Sequence, residues 1–349
     1  MSDHASTPTS FSQHRARYAA TLVISIVLLL FTIVLSLAVG RYSIPLGETA
    51  RILLSHVLPI TQSPEEIESA VVLSLRLPRT IAAALVGAAM ALSGATYQSI
   101  FKNPMCSPDL LGVTSGACVG AAIAILMNLG SGGIQIFAFV FGIVTVVLTV
   151  SIPRLMRNES TTILILSGIV VGSLMSSIMN IIKFIADTDT ELAEITYWTM
   201  GSFATVSLPD MVPVLPTILI PVIIIMLMRY RLNVLSLGDD EARSLGVNLR
   251  ATRGVFILCS TLITASCVCL CGTIGWVGLV IPHCARLIIG ADNRRMLPVA
   301  MLLGGIFMLI IDILCRTLSA AELRIGILTG IIGAPFFIFI LVKQSRNLR

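Results

Sequence analysis

Apolar runs long enough to cross a bilayer, about 18 residues or more, recur along the whole of this chain, and nothing else in it limits the fold so strongly. Ten can be placed, at about 19–39, 77–101, 110–128, 134–153, 161–185, 210–228, 251–272, 274–290, 297–318 and 324–342. Lipid offers no water to an unpaired backbone N–H or C=O, so segments of this kind cross as helices. The runs lack the apolar–polar alternation of the ~10-residue strands of a membrane barrel. Charged residues are only 12% of the chain, about half the ~25% of soluble domains. The expected fold is an all-α polytopic membrane protein of about ten transmembrane helices. Residues 1–18 are expected as a cytoplasmic tail and 19–345 as one membrane domain. The first run is too long for a signal-peptide core, and no small-residue cleavage pattern follows it, so it reads as a retained span.

Charge sets the expected orientation. With the N-terminus in the cytoplasm, ten spans return the C-terminus there, and Lys and Arg divide sixteen inside to seven outside. That satisfies the positive-inside rule. The outer loops hold acids instead, among them Glu65, Glu66, Glu68, Asp187, Glu191 and Glu194. Arg76, Arg79 and Arg316 break the pattern on the outer side. They read either as helix-end cations snorkelling to the interface or as a positive patch awaiting an acidic partner. Arg316 also lies four residues beyond Asp312, close enough on a helix to pair with it.

One inner loop is unlike the others. Leu237–Gly246, LGDDEARSLG, lies between two apolar runs and carries Asp239, Asp240, Glu241 and Arg243 between Gly238 and Gly246. The spacing of Leu237, Ala242, Leu245 and Val247 predicts short amphipathic turns rather than a limp linker. A structured, charged, glycine-bracketed knob on the cytoplasmic face suits contact with a soluble partner.

Several chemistries have no residues to carry them. None of the three lysines follows a glycine, so no phosphate-binding GxxxxGK[ST] loop exists, and no HExxH occurs. His283 is the one histidine near a span, expected as a hydrogen-bonded helix-end residue. The eight cysteines fall mostly in apolar runs. The alternate spacing of Cys267, Cys269 and Cys271 scatters them around a helix, so they read as packing residues and no metal site is expected. Among intramembrane acids Asp312 is the main candidate. An ion-driven carrier usually needs ionisable groups or broken helices near the midplane, which disfavours that alternative, and no paired constellation supports an intramembrane enzyme. Small residues at four-residue spacing, Gly87/Ala91/Gly94–Ala95, Gly112/Gly116/Gly120 and Gly168/Gly172, predict close helix packing.

Four long blocks carry a family resemblance, in order and at the family's spacing: Arg76–Ala117 (RLPRTIAAALVGAAMALSGATYQSIFKNPMCSPDLLGVTSGA), Leu237–Val247, Gly272–Pro298 and Ala320–Leu341. Together they resemble the FecCD permeases of binding-protein-dependent ABC importers for iron-siderophores, haem and cobalamin, over residues 19–345. The resemblance implies the type II ABC importer permease fold, with ligand passing along a path between two permease copies, a homodimer or close heterodimer. A cytoplasmic ABC ATPase dimer, which binds ATP and Mg, would dock beneath, and a periplasmic or lipid-anchored substrate-binding protein would deliver the ligand; no nucleic acid is involved. The permease would bind no cofactor and catalyse nothing itself. It implies ATPase coupling through residues about 236–250, carried by Asp239, Glu241, Arg243, Ser244 and Gly246. Binding-protein docking would fall to Arg76, Arg79 and Arg316, and a cytoplasmic gate to Asn103, Met105, Ser160 and Thr161. Met105 and Cys106 stand where the family often has leucine and an acid or alanine. Iron(III)-siderophore is the expected cargo, at a bacterial or archaeal cytoplasmic membrane, with haem or cobalamin on the same machinery as alternatives.

Overall fold

The computed structural model describes residues 8–42, 44–55, 66–157, 160–237, 239–319 and 321–346. Gly238, Glu65 and the first seven residues of the expected tail lie outside them. No described residue is in a strand. Ten apolar helices match the ten runs: α1 (Pro8–Ala38), α2 (Leu77–Ile100), α3 (Val113–Leu126), α4 (Ser131–Leu155), α5 (Thr161–Ile185), α6 (Leu215–Leu237), α7 (Leu249–Cys271), α8 (Val277–Ile289), α9 (Asn293–Thr317) and α10 (Ile325–Arg346). Seven are long and apolar enough to cross a membrane, whereas α3, α8 and the apolar part of α10 are shorter. Part of the expected tail is helical too, because α1 starts at Pro8.

α2 is the axis of the bundle, with nearly every residue from Pro78 to Ile100 buried. Glycine lets its neighbours come that close. A Cβ on Gly94 would overlap the carbonyl oxygen of Gly278 on α8, and one on Gly87 would overlap that of Gly304 on α9. Backbones in contact replace the hydrophobic drive that lipid cannot supply between apolar helices. Hydroxyls tie α2 to α7: Ser93 Oγ donates to Ser260 O at 3.1 Å, and Tyr97 Oη lies 3.1 Å from Thr261 Oγ1. Cys259, Cys267, Cys269 and Cys271 fill the same core.

The two ends of α2, about 36 Å apart at 1.5 Å per residue, define the two ends of the molecule. At one end, Arg79 meets Asp312 near the end of α9. At the other, Ser99 Oγ donates to Asn293 Oδ1 at the start of α9, 2.9 Å away. We call them the ion-pair end and the knob end. The helix entering α2 at the ion-pair end starts earlier than the 77–101 run, at Glu66, and passes through a π-turn at Val71–Arg76. A π-turn widens the helix by one residue, and here it delivers Pro78 to the first turn of α2, where a missing N–H costs little.

The segment between α2 and α3 is re-entrant. α3 has 14 residues, about 21 Å against a ~30 Å hydrocarbon core. The missing depth is filled by irregular chain and one 3₁₀ turn, Pro108–Leu111. Leu110 O lies against Gly168, seven residues into α5, about 10 Å from its knob-end start. Leu111 O accepts from Thr149 Oγ1 at 3.0 Å, again well inside α4. Non-helical backbone is tolerated at that depth only inside protein or beside a cavity. Asp109, next to Leu110, is thereby carried inward from the knob end to about the second turn of α5. His283 also differs from expectation. It is buried and, among the described residues, neither ring nitrogen has a hydrogen-bond partner; its ring is edge-on to Phe337 at 6.4 Å, because packing rather than the helix end sets its place.

Candidate functional site: the knob, the gate hairpin and the ion-pair end

The knob is a built structure. Asp239–Ser244 form one short helix, which Ala242 anchors at 0% exposure while Glu241, Arg243 and Ser244 face outward. Gly246 then turns the chain at φ +74°. Val247 N–H donates to Ala242 O at 3.1 Å and Gly246 N–H to Arg243 O at 2.9 Å, the paired bonds of a Schellman stop. Two residues later the Asn248 side chain accepts from Ala251 N–H at 3.0 Å and starts α7. The knob is therefore coupled rigidly to α7, which crosses the whole bundle. Ser244 Oγ donates to Glu241 O at 2.7 Å. Arg243 and Asp240 stand 3.8 Å apart, 70% and 95% exposed. Such an open pair contributes little by itself and leaves both charges available to a partner.

The residues expected to form the gate lie on two separate features of the same end. Asn103 Oδ1 accepts from Met105 N–H at 2.9 Å, closing a local turn that leaves Met105 half exposed and Cys106 buried. Ser160 is the N-cap of α5, its side chain accepting from Thr162 N–H at 3.3 Å, with Thr161 as the first helical residue. The fold brings Ser160 and Thr161 beside the knob. They share a cleft of about 580 Å³ with Arg243, Val247, Arg154, Arg250 and Arg253. Asn103 and Met105 do not line it. In the sequence Arg154, Arg250 and Arg253 are simply three of the sixteen inside cations, because nothing local shows that the α4–α5 turn and the start of α7 converge.

The three arginines of the ion-pair end are not an open patch. Arg76 is 5% exposed and donates to Leu37 O and Ala38 O at 2.8 and 2.7 Å, and to Tyr42 O, capping the end of α1. Arg79 Nε donates to Asp312 Oδ1 at 2.6 Å, and its Nη2 pairs with Glu322 at 2.6 Å. Arg316 pairs with Asp312 Oδ2 at 3.1 Å and donates to Ser36 Oγ at 2.9 Å. The expected outward-facing cations are thus turned into the bundle: Arg79 and Arg316 compensate Asp312, which is fully buried, and Arg76 serves the carbonyls at the end of α1. The pairing of Asp312 with Arg316 is as the four-residue spacing predicts. Glu322 is the most exposed acid of the network, at 29%.

Residues 28–343 match the FecCD transport family. The chain belongs to that family. The match runs from the last third of α1 to within three residues of the end of α10. A curated relative, the molybdate import system permease protein MolB of Haemophilus influenzae, is 37% identical over 320 residues, 92% of this chain and 94% of its own. A Helicobacter pylori permease named for iron chelatin transport is 36% identical over 329 residues, 93% and 96% of the two chains. A solved ABC transporter assigned to the metal-chelate type, in an inward-facing conformation, superposes with a TM-score of 0.82 at 36% identity, covering 92% of this chain and 98% of that one. The fold is that of a metal-chelate ABC importer permease, a transport subunit whose ATPase is a separate chain.

Proposed function

We propose that this FecCD chain forms, with a second copy, the membrane path of an ATP-driven importer that brings an iron(III)-siderophore into the cytoplasm. An ABC ATPase dimer holding ATP and Mg docks on the knob, through Glu241, Arg243 and Ser244 and the turn at Gly246, at the helix that Asp239 begins. The knob end is the cytoplasmic one, where most of the chain's Lys and Arg fall, and both termini lie there. The observation that carries the reading is the shared cleft: Arg243 of the knob and Ser160 and Thr161 of the gate hairpin line one cavity. A push on the knob reaches the hairpin across that cleft and reaches α2 through the Ser93–Ser260 and Tyr97–Thr261 bonds of α7. ATP binding and hydrolysis on the partner then bias the permease between states that close and open the cytoplasmic gate.

At the other end the substrate-binding protein docks over Arg76, Arg79 and Arg316. The burial of these side chains shapes how: an incoming carboxylate reaches Arg79 Nη2 by taking the place of partly exposed Glu322. Such charge pairs set orientation and on-rate more than affinity. The Helicobacter pylori relative, named for iron chelatin transport, supports iron chelate as cargo, whereas the Haemophilus influenzae relative is named for molybdate; haem and cobalamin are the alternatives on the same machinery.

The test is reconstitution. Permease, ATPase and binding protein in proteoliposomes should accumulate iron(III)-siderophore only when ATP is present on the ATPase side. Uptake that persists without the ATPase would instead establish an ion-driven carrier.

A further inference from the structure

We propose that the notch around Asp109 is an intramembrane cargo subsite that takes a cationic or hydrogen-bond-donating group of the chelate and turns oxyanions away. This rests on the reading of the chain as an importer permease. A cavity of about 420 Å³ lies between the re-entrant segment and α5, lined by Asp109, Ser115, Ser173 and Ser176 and floored by Gly168 and Gly172. Its depth follows from the packing of Leu110 O against Gly168.

The polarity of the notch follows from where its protons point. Ser173 Oγ donates to Ile169 O at 2.8 Å and Ser176 Oγ to Gly172 O at 3.0 Å. Thr114 Oγ1 donates to Asp109 Oδ1. The Ser173 and Ser176 O–H groups are spent on their own helix and Thr114 on Asp109, so of the lining groups these two serines leave acceptor lone pairs beside the carboxylate, with Ser115 as the remaining hydroxyl of the lining. The positive end of α3 does not reverse this, because Asp109 in the turn just before it supplies the compensating negative charge. An acceptor-rich surface favours ammonium, amide N–H and hydroxyl donors. A carboxylate and serine hydroxyls would be costly facing hydrocarbon, so the open side of the notch faces water or a second copy, as a cargo path requires.

Charged thiol reagents test the field without knowing the cargo. In the full-length permease purified with its ATPase, the Ser176→Cys variant is labelled with a cationic and an anionic methanethiosulfonate, against the parent protein and corrected for the rates of a free thiol. The cationic reagent should react at least about tenfold faster. Adding Asp109→Asn should bring the ratio near one, whereas adding Thr114→Val, which removes the partner but keeps the charge, should leave it high. Protection is then sought from a positively charged iron(III) trihydroxamate, from molybdate, and from Na⁺ exchanged for K⁺ at constant ionic strength. Protection by the trihydroxamate alone supports the subsite. A Ser176→Cys variant whose new thiol does not react, a ratio indifferent to Asp109→Asn, or protection by molybdate or by one alkali cation overturns it. Absence of ATP-driven uptake by the parent protein, with the labelling ratio as expected, would count against the importer reading instead.

Discussion

Asp312 holds two arginines at once, and its neighbours show what burial does to a charge. Its carboxylate is fully buried between Arg79 and Arg316, whereas Glu322 meets Arg79 from a site 29% exposed. Removing one member of a buried network leaves the others uncompensated, at about 3–5 kcal/mol. An exposed partner contributes about 1 kcal/mol or less. Asp312→Ala should therefore lower the thermal unfolding midpoint of the detergent-solubilised protein strongly, and Glu322→Ala barely; equal shifts would show that Glu322 closes the network rather than lids it. The pairing of Asp312 with Arg316 was legible in the sequence, since four residues apart on a helix is contact distance. Arg79 was not, because its partner lies 233 positions away. A sequence shows that three cations break the positive-inside pattern; it does not show which backbone carbonyls and carboxylates wait for them.

Helices meet here by backbone contact, and glycine sets where. Gly94→Leu would drive a side chain into the Gly278 carbonyl of α8, an overpacking cost of about 1–3 kcal/mol or more. We expect a marked drop in monodisperse yield, with Gly254→Leu, where the same Cβ meets nothing, as the tolerant control. Gly246 is constrained differently. No atom lies near its would-be Cβ, but its φ of +74° is a left-handed turn that costs other residues about 1–2 kcal/mol. Gly246→Val should loosen the joint between knob and α7 and reduce ATPase co-purification and coupled transport while the membrane bundle still folds. Full ATPase retention would move docking elsewhere. The small-residue stripes and the glycine after the knob could be read from the chain. The re-entrant segment could not: residues 110–128 read as one apolar run, and only packing against α4 and α5 shows that the first residues of that run continue the irregular chain that holds Asp109.

For the whole molecule, the exposed apolar face of α5 calls for a cover. Ile169, Val170, Leu174, Ile181 and Phe184 are 53–88% exposed in the single chain, a surface that lipid or a second copy must meet. Native mass spectrometry of the purified importer should give two permease chains with two ATPase chains, and a single permease per complex would refute the two-copy path. The sequence by itself determined that this is a helical membrane protein of ten apolar segments with a charged knob, because segment length, hydropathy and local spacing are properties of neighbouring residues. It also carried the family, in four blocks whose order survives without coordinates. Only the tertiary structure decided that the outer arginines turn inward, that the knob shares a cleft with the start of α5, and that Asp109 sits beside α5 about two turns from its start. Each of these depends on residues far apart in the chain, brought together by close helix packing and by the requirement that a buried charge or carbonyl find its partner.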